Sequence, residues 1–415
     1  MKEFEQSGLA SYCLASKDVF EKVIEEVAED FDTAINKRLL DSYKENLLKG
    51  VRGVFDSQYG DRYFDLQNRL EANVGRFAAY KAYHATEQVR RQLTGKGSKE
   101  ECLKRAKGAL GAFNRYQAVE YNTTIARCRT AKQWTDYNTE ESLMLFPNLR
   151  WLPSRAAEPR PSHIPYYNRV WPKNHPFWLT NQPGSEWGCA CDWEETLDDS
   201  DFEGVPTSNP PKGLEGNPGE TGKVFSDKSI YFTANNHEKV GQAILESGEG
   251  GYYTKGNIPK VQAKAHVMHH PGEVAGNMEV ASVFCEQNQG VKSVSLLPNV
   301  VKENGALRPN FYPKNMLPRG VNNNADSVIE WANGDKWVVD FKYMSGNGGK
   351  LKDRLLDAYQ QADYAVIKIA GDIKSMADIQ DASIAFMKSH PKFKGLIIYN
   401  KLDKELVRII ETTRK

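Results

Sequence analysis

Two aspartates and a lysine, Asp326, Asp340 and Lys342, stand at the ends of two short apolar runs in ADSVIEWANGDKWVVDFK, residues 325–342. Thirteen residues separate the two acids, and a single residue separates Asp340 from Lys342. Carboxylate oxygens are the donors that hard divalent cations take. A lysine two positions along a strand lies on the same face as the acid before it. These types at this spacing have the chemistry of metal-assisted phosphodiester cleavage. The metal polarises the phosphate and lowers the pKa of an attacking water. The lysine orients that water or offsets developing negative charge. Left without a cation or a shared proton, the two carboxylates repel.

A hairpin has to bring the acids together, and its register can be worked out from the letters. A two-residue turn at Asn333-Gly334 would pair Asp326 with Phe341 and mix polar with apolar side chains. A three-residue loop, Ala332-Asn333-Gly334 with Gly334 left-handed, pairs Asp326 with Asp340, Val328 with Val338 and Glu330 with Lys336. Ser327, Ile329, Trp337, Val339 and Phe341 then share the other face. This register separates the faces and pairs opposite charges at Glu330 and Lys336, so it is the one expected.

The surroundings supply a frame. PGEVAGNMEVASVFCEQNQG predicts a helix ending at Gly290, and VKSVSLLP a strand. After the hairpin, KLKDRLLDAYQQADYAV is amphipathic and runs into the strand YAVIKI; LIIY is a last strand, and a short helix is expected to close the chain. Helix, strand, strand, strand, helix, strand predicts an α/β core with a mixed sheet.

The chain has 415 residues, which predicts several domains. Hydrophobic content of 40% and charged content of 26% are ordinary for a soluble protein, and the net charge of +1 leaves any nucleic-acid site to be local. The first residues show no basic region followed by an apolar run, so no secretion signal is expected, and no stretch is long and apolar enough to span a bilayer. Six cysteines, scattered except for Cys189 and Cys191, argue for a reducing compartment.

Toward the N-terminus the pattern is helical. An apolar stripe from Phe20 through Leu48 predicts one long helix; a second runs through Leu66–Tyr80 and a third through Leu103–Ile125. Ser98 with Glu101 predicts a capping box at the start of the third. From Phe146 the chain turns loop-rich and aromatic, with Pro, Trp, His163, His175, Cys189 and Cys191. Those last four are zinc-type ligands, although Cys-x-Cys is tighter than the usual Cys-x-x-Cys; the alternative is buried structural cysteines beside an aromatic cluster. The Pro- and Gly-rich stretch 204–223 predicts a mobile linker. The expected organisation is therefore multidomain: a helical region at 1–145, the aromatic module at 146–203, the linker at 204–223, an accessory segment at 224–271 and the α/β domain at 272–415.

Two resemblances attach to these residues. The ordered set Arg160-Pro-Ser-His163, Pro176-Phe-Trp178 and Pro183 followed by Trp187-Gly-Cys-Ala-Cys191 resembles the phage Mu F-like minor head, or head morphogenesis, family, as do the helices before it. The family commonly has Cys-Arg-Cys where this chain has Ala190, which puts any role of that arginine in doubt. The resemblance implies a minor virion protein of the inner head, with portal and capsid proteins as partners, and a C-terminus that often carries an unrelated enzymatic domain. Asp-x13-Asp-x-Lys on a hairpin resembles the PD-(D/E)XK nuclease superfamily, with its restriction-endonuclease-like core. The whole domain resembles toxin nuclease domains of contact-dependent inhibition systems, with Ala-Asp where those show Pro-Asp. That resemblance implies Mg²⁺ or another divalent cation on Asp326, Asp340 and Glu279. It implies Lys342 and Gln361 (or its neighbour Gln360) as further site residues. An RNA or DNA substrate, tRNA included, an immunity protein as partner, and action in the virion and the bacterial host cytoplasm follow from it too.

Two other functions compete. A metal-independent ribonuclease of the barnase, colicin or RelE type would use His269, His270, Lys342 and Arg354; His266 belongs to the same histidine cluster. A purely structural head protein would use none of them.

Overall fold

The computed structural model describes residues 17–57, 60–232, 237–254, 262–287, 290–320, 323–345, 350–370, 376–401 and 405–411. Most of the segment read for a secretion signal lies outside them. Two compact units emerge, one comprising the chain up to Asp56 with Arg69–Ile244, the other Ser57–Asn68 with the chain from Leu245 onward. The main boundary at Ile244/Leu245 replaces the expected boundaries around 204–223 and at 271/272.

The first unit begins with α1 (Lys17–Glu29) and α2 (Lys37–Arg52), two helices where one was expected. The apolar stripe does run through both, but the backbone between them has better local partners. The Asp30 carboxylate accepts the N–H groups of Asp32 and Thr33, and Asn36 caps α2 by accepting from Leu39. Helices α3 (Phe64–Leu93) and α4 (Lys99–Tyr137) follow, and α4 starts with the Ser98/Glu101 capping box expected of it. After the short α5 (Glu140–Leu145) come β1 (Asn148–Leu152), β2 (Val170–Pro172), α6 (Phe177–Thr180) and β3 (Asp192–Thr196). The strands form an antiparallel sheet in the order β2-β1-β3. Trp151, Trp171, Trp178 and Trp193 pack with Trp134 of α4, Tyr166 and Phe177 into one aromatic core.

Residues 204–223 are not a mobile linker. Leu214 is buried, α7 (Pro218–Thr221) packs on α4, and the buried Arg127 guanidinium donates to the carbonyls of Leu214 at 3.0 Å and Gly216 at 2.8 Å. Trp134 Nε1 donates to Glu220 Oε1 at 2.6 Å. Low apolar content suggested a free segment, but its backbone carbonyls and its polar side chains tie it down together with the buried Leu214. Helix α8 (His237–Glu246) follows.

The second unit is built on an eight-stranded mixed sheet among the described residues. Its strands are β4 (Tyr252–Thr254), β5 (Gln262–His266), β6 (Val291–Leu296), β7 (Ser327–Trp331), β8 (Lys336–Met344), β9 (Tyr364–Ile369), β10 (Gly395–Asn400) and β11 (Glu405–Glu411). They lie in the order β11-β10-β9-β8-β7-β6-β5-β4. β7 runs antiparallel to both β6 and β8, whereas β8-β9 and β9-β10 are parallel. β4 and β5, from the expected accessory segment, extend one edge. Helix α9 (Val274–Gln287) precedes β6, α10 (Leu351–Gln361) joins β8 to β9, and α11 (Met376–Ser389) joins β9 to β10. Leu351, Leu355 and Phe386 from α10 and α11 pack on Ala365, Ile367, Leu396 and Ile398, one face of the sheet. Asn277 of α9 meets Lys368, which alternates to the opposite face. The helix-strand-strand-strand-helix-strand order is as expected. The closing helix is not: Glu405–Glu411 pairs antiparallel with β10 as a strand.

Candidate active site

The hairpin has the expected register. Val328 faces Val338 and Glu330 faces Lys336, with Trp331 N–H donating to the Asp335 carbonyl at the loop and Gly334 left-handed at φ 88°. One step past Ser327↔Val339 the same register sets Asp326 opposite Asp340. There the Asp326 carboxylate reaches across to the partner strand, and its Oδ2 accepts the Phe341 N–H at 2.6 Å. Both acids line a cleft of about 240 Å³ together with Lys342, Gln361, His269, His270, Glu273 and Asn324.

The two carboxylates sit in unequal surroundings. Asp326 is half-buried, and its Oδ1 accepts from Asn277 Nδ2 at 3.2 Å. Asp340 is 1% exposed, and its Oδ2 has no aligned hydrogen-bond donor, although Lys342 Nζ lies 2.7 Å away. Burial, then the nearby Asp326 charge, push the Asp340 carboxyl well above the ordinary range, against the pull of Lys342. Burial works to lower the Lys342 ammonium, but Asp340 outweighs it and the group ends raised. Gln361, on the last turn of α10, accepts from Lys342 Nζ at 2.9 Å through its side-chain oxygen and donates to the Asn324 carbonyl through its nitrogen. Asp326, Asp340, Lys342 and Gln361 are thus brought together.

Glu279 is not. It does not line the cleft, and its Oε1 accepts from Tyr399 O–H at 2.6 Å. The acid on the cleft from this part of the chain is Glu273, in the turn immediately before α9. The α9 face that reaches the site carries Asn277, in the first turn of the helix, instead. This buried amide is a hub: besides Asp326 it meets His269 Nε2 at 3.1 Å and accepts from Lys368 Nζ at 2.9 Å. His269 is 5% exposed, its Nδ1 is bonded to the Leu297 carbonyl at 2.6 Å, and burial lowers its pKa. Burial lowers the Lys368 ammonium too. No pattern in the letters marks Asn277 or Lys368; the histidines alone were visible.

Of the ribonuclease candidates, His270 is exposed at the cleft, whereas Arg354 pairs with Asp357 along α10 and does not line it. No family model, curated protein or solved structure matches this chain.

A second cluster lies in the first unit. His163, Cys189 and Cys191 bring one ring nitrogen and two sulfurs within 4.8 Å of one another. His175, expected with them, is elsewhere: its Nδ1 accepts the Phe177 N–H at 3.1 Å and its ring packs on Phe202. Among the described residues no helix is long and apolar enough to cross a membrane.

Proposed function

We propose that the second unit is a metal-dependent nuclease of the PD-(D/E)XK kind, hydrolysing phosphodiester bonds of RNA or DNA, on a chain whose first unit is a phage or prophage head-morphogenesis module. The observation that carries the nuclease reading is the pairing of Asp326 with a buried Asp340 whose Oδ2 lacks an aligned donor, beside Lys342 in an open cleft. Two adjacent carboxylates with an unfilled oxygen are a donor set suited to a hard divalent cation. Asp326 and Asp340 would hold Mg²⁺, with Glu273, just before α9, rather than Glu279 as the further acid on the cleft. Such a cation supplies Lewis-acid polarisation of the phosphate when bound. Lys342, held by Asp340 and Gln361, places a positive charge at the cleft where negative charge develops in phosphoryl transfer. Asn277 and the Phe341 N–H hold the Asp326 carboxylate in place.

The metal-independent ribonuclease reading is less well supported. It needs a histidine that exchanges protons with substrate: His269 is buried with both ring nitrogens engaged, which leaves His270 as its histidine at the cleft, and Arg354 does not line the cleft. The deciding experiment incubates the full chain with DNA and with total RNA, in Mg²⁺ or in chelator, alongside Asp326→Asn and Asp340→Asn. Cleavage that requires Mg²⁺ and disappears in both variants is expected. Full activity in chelator, or unchanged activity in both variants, would overturn the metal-nuclease reading.

A further inference from the structure

We propose that the first unit holds a zinc ion on His163 Nδ1, Cys189 Sγ and Cys191 Sγ, a site separate from the acidic cleft and independent of its chemistry. The first support is a distance match. Zn–S bonds of about 2.3 Å and Zn–N bonds of about 2.0–2.1 Å at tetrahedral angles set nitrogen and sulfur about 3.5–3.6 Å apart. His163 Nδ1 lies 3.5 Å from Cys189 Sγ and 3.6 Å from Cys191 Sγ. Two thiols donating to that nitrogen would compete for its single lone pair, whereas one cation among the three atoms satisfies all of them.

The second support is the other side of the ring. His163 is 0% exposed, and its Nε2 has no hydrogen-bond partner but points at Glu186 Oε1, 3.5 Å away. Zinc-bound histidines characteristically turn the second nitrogen to a carboxylate, which fixes the tautomer and strengthens the metal bond. Glu186 is itself oriented: Ser162 Oγ donates to Oε1 at 2.6 Å, and Arg160 Nε stands 3.6 Å from Oε2. Arg160 also donates to the Trp187 carbonyl, and Gly188 takes the left-handed φ of 69° in the turn before Cys189. The Arg-Pro-Ser-His run and the Glu-Trp-Gly-Cys-Ala-Cys run are thus two halves of one site: ligands from both, and the second carboxylate clamped by the first.

Among the described residues no fourth His, Cys, Asp or Glu joins the group. The three donors border a cavity of about 330 Å³ that also includes Ser154 and Arg160, and the fourth coordination position opens there to water or an incoming donor. The zinc ties the two loops together at the edge of the tryptophan core.

The test uses the full chain, produced with zinc in the medium and purified without a metal-affinity step. Elemental analysis should find about one zinc per chain. Replacement by Co²⁺ should give the thiolate charge-transfer band and the intense visible bands of a tetrahedral site. Cys189→Ser/Cys191→Ser should lose both metal and spectrum. Should that variant fail to fold, Glu186→Gln decides: it leaves the ligands intact and should weaken zinc retention against a chelating dye about 10- to 100-fold. Asp340→Asn should retain the zinc, which separates this site from the cleft. Wild-type chain that binds no zinc and gives no tetrahedral cobalt spectrum would overturn the proposal. So would full zinc content in the double cysteine variant, or unchanged retention in Glu186→Gln.

Discussion

Asp340→Asn should make the cation-free protein more stable at neutral pH, and the gain should grow with pH. Asp340 is 1% exposed, and burial with the Asp326 charge raises its carboxyl well above the usual range; that direction already contains the attraction of Lys342. A folded-state pKa above the unfolded one means the native chain binds more protons than the unfolded chain between the two values. Stability then falls as pH rises through that window, by up to about 1.4 kcal/mol per pH unit. The window opens near the unfolded carboxyl value, at about pH 4, and closes at the raised native value. Asparagine has nothing to ionise and nearly the same shape, so the penalty vanishes while the packing stays.

For a unit of 150–250 residues, 1 kcal/mol moves Tm by about 2–4 °C, so the variant should gain about 3–6 °C on wild type per pH unit inside the window. The assay is thermal unfolding of both proteins in chelator over a pH series. A saturating divalent cation should reverse the order: at about 100 times Kd it adds roughly 2.7 kcal/mol to the wild type and much less to the variant. A variant less stable than wild type by a constant amount at every pH would refute the reasoning, as would equal cation-induced shifts in the two proteins.

Other outcomes follow from single contacts. Lys342→Met should lower cleavage about 10²- to 10³-fold, the usual effect of removing one preorganised charge partner, with the fold intact by circular dichroism. Gln361→Ala, which frees Lys342 without removing it, should cost about 10-fold in rate. Arg127→Ala should destabilise the first unit by at least about 3 kcal/mol in denaturant unfolding, because several buried carbonyls lose their donor together. It should also open residues 204–223 to limited proteolysis, whereas an unchanged digestion pattern would show that the segment holds without the guanidinium. Gly219→Ala should cost about 1–3 kcal/mol, since its new Cβ would meet the Trp134 ring at 2.6 Å.

The parts of this protein that could be read from its letters are those fixed by neighbours in sequence. The hairpin register came from period-two alternation and one glycine that must turn left-handed, both local signals. The capping box at Ser98 and the order of elements around the hairpin are local too. One expectation fails where a distant group decides, and two fail on local signals that composition and period hide. Residues 204–223 look unstructured by composition, and it is Arg127, far back on α4, that donates to their carbonyls. The stripe from Phe20 to Leu48 keeps its period across a break, because Asp30 and Asn36 end and begin helices without disturbing the spacing of apolar residues. At the C-terminus ELVRIIE, where a helix is expected, pairs with β10 as a strand, which suits its β-branched residues.

The site divides along the same line. Asp326, Asp340 and Lys342 share a hairpin and were legible together, whereas the helix acid was misplaced: Glu279 bonds Tyr399, and Glu273 reaches the cleft. Glu279 lies six residues on from Glu273, inside α9, and nothing in the α9 sequence marks which face the sheet takes. Asn277 carries the consequence. Its amide joins Asp326, His269 and Lys368, so it sets the orientation of the one carboxylate that is fully hydrogen-bonded. Asp326 is therefore held in place without a cation, whereas Asp340, with an unfilled oxygen and a raised pKa, is the carboxylate that a bound cation would relieve. The free energy a divalent ion contributes to this cleft should accordingly come mainly through Asp340, by relieving a buried and poorly partnered charge. Asp326 would act more as the fixed point against which such an ion is placed. Asn277→Ala tests that division: it should weaken cation binding through loss of geometry while leaving the pH-dependent penalty at Asp340 in place. If the penalty disappeared with Asn277, the two carboxylates would have to be treated as one unit.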